Sequence, residues 1–150
     1  MTISAADLEA GLRAAIPFNG TIGVEYVEVG GERAVLRLPD RPDLHNHVAG
    51  PHAGAMFTLG EAASGAVVMA VFGDLLSRAT PLAASAEIAY KRLAMGPVTA
   101  TAVLGRSRQE VVAELDEGAT PQFPVTVTLA TDDGTVTGQM TVRWALRPNR

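Results

Sequence analysis

Glu61 is the one carboxylate in the apolar run from His52 to Phe72. An ionised carboxylate is costly to bury unless it is paired, protonated or reached by solvent. A lone one in such a run is therefore a candidate acid, base or nucleophile. The plainer reading is that Glu61 lies where a helix surfaces, or is a satisfied buried polar group. Just upstream, Asn46-His47-Val48-Ala49-Gly50-Pro51-His52-Ala53-Gly54 leads into the run. Pro51 suits a helix entry, and the small Ala53 and Gly54 leave the first-turn amides open to a ligand. Such amides, with the positive end of the helix dipole behind them, stabilise a carbonyl oxygen that is gaining negative charge. Thioester hydrolysis needs that geometry, whereas a plain capped helix start needs only the fold. His45, His47 and His52 also raise a metal reading. Their spacing is loose for zinc and no Cys accompanies them, so they read as solvated loop histidines.

These residues must be held by the elements around them. Ser4 to Ala14 reads as a short amphipathic helix capped by Ser4, with Asp7 completing a capping-box-like pattern and Pro17 and Gly20 ending it. Ile22–Val29 and Arg33–Leu38 alternate as two strands about Gly30-Gly31. His52 to Phe72 is the long helix. It is apolar on every face, which means burial in a core or in a membrane; Glu61 and the glycines Gly54, Gly60 and Gly65 favour a core. Leu82–Leu93 and Val98–Gly105 read as strands joined by Met95-Gly96-Pro97. Ser107–Gly118 reads as a polar helix whose Glu110, Glu114 and Glu117 mark a solvated face, with Gly118 as its stop. Phe123–Thr131 and Thr135–Leu146 form a last hairpin about Asp132-Asp133-Gly134. One long apolar helix between sets of antiparallel strands implies an α+β fold, a sheet curled around that helix.

The 150 residues suit one domain, 1–150, with a proper core, and 47% of them are apolar, which argues against disorder. The net charge of −4 without a dense basic run argues against nucleic acid as a partner. The chain has no cysteine, which removes disulfides, thiolate metal sites and Cys nucleophiles together. Met1 to Ala15 lacks a basic segment followed by an apolar one, so no signal peptide is expected. The expectation is a cytoplasmic protein without a membrane partner.

The stretch Asn46–Gly65, "NHVAGPHAGAMFTLGEAASG", resembles the central motif of hotdog-fold thioesterases of the phenylacetic-acid (PaaI-like) group. That family has an Asn, then a His-Gly-Gly helix start six positions on, then an Asp or Glu nine further; Asn46, His52 and Glu61 match. Glu87–Leu104, "EIAYKRLAMGPVTATAVL", resembles the family's strand pair with its turn, and the likeness covers nearly the whole chain. The acidic insert Ser107–Gly118 looks more like the DUF4442-like branch of the superfamily.

The resemblance implies a hotdog fold and acyl-CoA thioester hydrolysis with no cofactor beyond the coenzyme A of the substrate. Glu61 would be the general base or nucleophile. Ala53 N–H, with Gly54, would polarise the carbonyl. Asn46 would orient water or the thioester oxygen, and His52 would shape the helix start. Met56 and Phe57 would line the acyl site. By their own position, Lys91 and Arg92, with Arg106 and Arg108, suit the coenzyme A phosphates at a strand end, while scattered surface basic residues are the commoner reading of such a set. Three positions depart from the family. Ala53 stands for its first Gly, Gly50 comes one place later than its loop Gly, and Ala83 is nearest to a Ser or Thr that assists water in some members.

From Ala53 to Glu61 is roughly 12 Å of helix rise and about 80° of rotation. Glu61 is therefore badly placed to act on an acyl group at its own helix start. Two such helices running antiparallel about a two-fold axis would bring one subunit's Glu61 to the other's Ala53. The family likewise implies a homodimer or a dimer of dimers. A hydratase or dehydratase of the same fold, and a non-catalytic acyl or coenzyme A binder, are the competing readings.

Overall fold

The computed structural model describes residues 4–150; the first three residues of the expected domain lie outside the described residues. Ser4 caps the first helix, α1 (Ala5–Ala15), by accepting from the Asp7 N–H at 3.1 Å. Pro17 does not simply stop the chain. Its fixed φ opens a second short helix, α2 (Pro17–Thr21). Strands β1 (Glu25–Gly30) and β2 (Arg33–Leu38) pair across the expected turn, where Gly31 has a φ of 58°.

The long helix α3 (Ala53–Phe72) begins one residue later than the sequence suggested, with His52 as its N-cap. It is followed by β3 (Ala79–Tyr90), β4 (Val98–Leu104), α4 (Arg108–Asp116), β5 (Gln122–Thr131) and β6 (Val136–Pro148). The six strands form one antiparallel sheet in the order β1-β2-β4-β5-β6-β3. α3 packs against all six, as a sheet curled around a helix requires.

One expected pairing is wrong. β3 and β4 are consecutive but do not pair with each other: β4 lies between β2 and β5, and β3 pairs with β6 at the sheet edge. The segment between them, residues 91–97, is a crossing loop rather than a hairpin turn. The Lys91 and Arg92 N–H groups donate to the Thr137 carbonyl, which keeps the chain on β6 past the end of β3.

α3 is long and apolar enough to cross a membrane by composition. Its face toward the sheet is instead sealed: Leu59, Ala63, Ala66, Val67 and Phe72 are within 1% of full burial. Complete burial of a side chain such as Leu59 or Val67 contributes roughly 1.5–3 kcal/mol. Phe72 meets Phe123 of β5 with ring centroids 4.9 Å apart. Gly60 sets how closely helix and sheet approach, because a Cβ there would lie 2.5 Å from the Met140 sulfur. The opposite face of α3 is covered only in part, by α1 and α2. Glu61 lies on that side.

Candidate active site

The start of α3 is built by the loop before it. Asn46 Oδ1 accepts from Val48 N–H at 3.0 Å and Gly50 N–H at 3.1 Å, while its Nδ2 donates to the Pro51 carbonyl at 3.4 Å. The Asn46 N–H also donates to the Gly50 carbonyl at 2.8 Å. Asn46 therefore holds the loop, where the sequence suggested that it orients water or substrate. Ala49 takes a left-handed φ of 60°, a conformation costly for any residue with a Cβ. Gly50 packs where a Cβ would come within 2.6 Å of the Ala94 carbonyl oxygen, so the loop is pinned against residues 94–95.

At the helix start the His52 ring caps α3, its Nδ1 accepting from the Gly54 N–H at 2.8 Å. This corrects the expectation that Gly54 offers its amide to a ligand: the imidazole already takes it. The Ala53 N–H makes no hydrogen bond among the described residues, and Ala53 is exposed. One residue is added that the sequence did not single out. Tyr90, at the end of β3, donates its hydroxyl to the Ala53 carbonyl at 2.9 Å, and burial pushes that hydroxyl above its usual range. Lys91 and Arg92 follow Tyr90 directly and are exposed, which places two cations near the helix start.

Arg106 and Arg108 do not join them. Arg106 pairs with Glu114 and donates to the Gln122 carbonyl, while Arg108 pairs with Asp74 and caps the Val71 carbonyl at the far end of α3. His45 is tied to Asp40 at 2.6 Å. Among the described residues no cluster of three or more His, Asp or Glu could hold a metal.

Glu61 is half-buried on α3 and has no hydrogen-bond partner for its carboxylate among the described residues. Desolvation alone raises its pKa above the ordinary carboxylate value. Its backbone is held by a relay that reaches from another element of the fold. Trp144 Nε1 donates to Ser64 Oγ at 3.0 Å, and Ser64 Oγ donates to the Glu61 carbonyl at 2.7 Å. Ser64 three residues after Glu61, inside an apolar helix, was the available clue.

Glu61 faces a cavity of about 500 Å³ between α1 and α3. The helix start borders a separate cleft of about 220 Å³, lined by His52, Gly54, Ala55 and Thr58 with His45 and Phe18. Within one chain the carboxylate and the open amide thus face different spaces. Of the side chains expected to line an acyl site, Met56 is buried in the core and Phe57 is half-buried against it. Neither borders these two spaces.

A six-stranded antiparallel sheet in this order, curled around one long helix, is the hotdog fold of the thioesterase superfamily to which PaaI-like proteins belong. Within it, the chain belongs to the DUF4442 family, described as a domain of unknown function, which matches residues 5–146. None of the curated proteins matches the chain in sequence. Among solved structures, the chain is similar to PA5026 from Pseudomonas aeruginosa, named a probable thioesterase, with a TM-score of 0.88, 23% identity and 99% of each chain covered. A thioesterase family protein from Silicibacter pomeroyi aligns with a TM-score of 0.75 and 19% identity over 97% of this chain and all of its own. The Escherichia coli PaaI protein from the phenylacetic acid degradation operon aligns at 0.74 and 12% identity, over 95% of this chain and 92% of its own.

Proposed function

We propose that the protein is an acyl-CoA thioesterase whose sites form between two copies of the chain, each giving Glu61 to one site and its helix start to the other. The observation behind this reading is the Glu61 carboxylate, unpaired in an apolar cavity with its pKa raised by burial. A carboxylate in that state is a stronger base than an exposed one. Water attacks the thioester carbonyl carbon and gives its proton to Glu61, while the Ala53 N–H and the dipole of α3 take the charge on the oxygen. The C–S bond then breaks, and Glu61 returns the proton to the departing coenzyme A thiolate. Lys91 and Arg92 meet the coenzyme A phosphates. No further cofactor is needed, and the site of action is the cytoplasm.

The edge strand β3 supports the pairing of two copies. It is 12 residues long and has no partner on its outer side among the described residues; its Leu82 and Tyr90 are 42% and 47% exposed. Natural edges of this length and character are usually covered or paired. Antiparallel pairing of two β3 edges about a two-fold axis sets two α3 helices side by side in opposite directions.

Replacing Glu61 by Gln tests the chemistry. Turnover of acyl-CoA should fall by about 10²–10⁴-fold with the melting curve retained; undiminished hydrolysis sinks the role. In the parent protein the acid limb of kcat/KM should lie above the ordinary carboxylate range, since only the ionised form accepts a proton. The raised pKa also means that the native state holds a proton to higher pH than the unfolded chain does. Stability therefore declines as pH rises through that window, and E61Q removes this contribution to the slope. A non-catalytic acyl-CoA binder is the second reading. It is favoured by the occupied Gly54 amide and by Ala83, which has no hydroxyl; tight binding without hydrolysis would select it.

A further inference from the structure

Two glycines sit inside helices on opposite walls of the cavity that Glu61 faces: Gly11 on α1 and Gly65 on α3. A helix-interior glycine is less stable there than alanine, and packing does not demand either one. A Cβ on Gly11 would meet nothing within 4 Å, and one on Gly65 would meet only the Trp144 ring, at an ordinary 3.6 Å. No described residue fills the space they leave. Trp144 spends its N–H on Ser64, so it shows the cavity only the hydrocarbon of its ring. Leu12 and Val68 are part of the wall, and among the described residues every lining side chain apart from Glu61 and Asp7 is apolar. At about 500 Å³ the cavity has the size of a small-molecule site, far larger than an acetyl group needs.

We infer that this cavity receives the neutral hydrocarbon tail of the acyl group, with Gly11 and Gly65 setting its depth. This rests on the thioesterase reading for the position of the reacting carbonyl beside Glu61. The selectivity follows from the walls. A longer apolar tail buries more surface here, whereas an acyl group ending in a carboxylate meets the like charge of the half-buried Glu61 in a poorly solvated space, with the exposed Asp7 adding a second at the rim. The substrate class is accordingly medium-length, uncharged acyl thioesters, in preference to acetyl or dicarboxylic ones.

The test compares kcat/KM for acetyl-, hexanoyl-, decanoyl- and succinyl-CoA in the parent protein and in the graded variants Gly11→Ala and Gly11→Leu. Both substitutions improve helix propensity, and a thermal melt establishes that each variant folds. The parent should prefer decanoyl- over acetyl-CoA and use succinyl-CoA least. Gly11→Leu should lower the decanoyl-to-acetyl ratio at least about tenfold, with Gly11→Ala in between. A ratio unmoved by Gly11→Leu, or succinyl-CoA used as well as hexanoyl-CoA, overturns the proposal. If the parent hydrolyses none of the four, the thioesterase reading falls and the cavity is judged by calorimetry instead. Decanoyl-CoA should then bind at least about tenfold tighter than free coenzyme A, and Gly11→Leu should erase the difference; equal affinities in the parent refute the assignment.

Discussion

At the C-terminal end of α3 the Val71 carbonyl accepts from Arg108, whose guanidinium also forms two 2.8 Å hydrogen bonds to Asp74. At the N-terminal end the Gly54 amide is met by the His52 imidazole, and the neighbouring Ala53 amide is left open. The first end is closed by charges from another helix, where a cation complements the negative end of the dipole. The second is met by the His52 ring from the chain just before it and by the Tyr90 hydroxyl on the Ala53 carbonyl, and an acidic cap is absent from its first turn. An anionic cap would neutralise the positive end of the dipole and compete with a developing oxyanion. The contrast divides the helix into an anchored end and an end kept free to meet charge, with Glu61 between them.

The strongest way to break this contrast is at the loop that presents the open end. Gly50→Ala would drive a Cβ into the Ala94 carbonyl oxygen at 2.6 Å and the Met95 sulfur at 3.1 Å. Backbone cannot swing aside as a side-chain tip can, so the loop must lift. The Asn46 bonds that define it are then strained together. The expected loss is about 1–3 kcal/mol, read by urea denaturation, with a fall in kcat/KM as the Ala53 amide moves. Unchanged stability would mean that the loop is not pinned as described.

The sequence disclosed the two ends unequally. Around the open end the causes are local: Pro51, the small residues after His52 and the spacing of Asn46, His52 and Glu61 all lie within 16 residues of chain. They were legible as a motif, although His52 was not foreseen as the group that occupies the Gly54 amide. At the anchored end the causes are remote. Arg108 lies 34 residues from Asp74 and 37 from Val71, and the helical spacing of Glu110, Glu114 and Glu117 reveals a solvated face without revealing what the arginines reach. The sheet repeats the lesson. β2 emerged residue for residue from its alternation, as did the last hairpin apart from its ends. The pairing of β3 with β6 did not, because alternation fixes which face of a strand is buried and is silent about which strand lies beside it.

Arg108→Ala sharpens the comparison from the anchored side. Both members of its ion pair are substantially exposed, at 39% and 51%, so solvent screening limits what the pair contributes. With the Val71 carbonyl also losing its donor, the expected cost is about 1–2 kcal/mol. The kinetic constants should hold, since Arg108 sits a whole helix away from Ala53. A parallel drop in kcat/KM of about tenfold or more would show that the two ends are coupled through α3 and that the division is false.

Ala49 offers the smallest and most local test. The family pattern places a glycine three residues after the Asn, and here that position holds an alanine at a φ of 60°. The left-handed conformation strains a residue with a Cβ by roughly 1–2 kcal/mol, while a glycine loses more backbone freedom on folding. Ala49→Gly relieves the first and incurs the second, for a net gain of a few tenths to about 1 kcal/mol in the thermal or urea midpoint. Activity should stay level, because Asn46, Gly50 and His52 keep their bonds. A destabilised variant would mean that the loop is held by something other than the hydrogen bonds of Asn46 and the contact at Gly50, and the open end of α3 would owe its geometry to another cause.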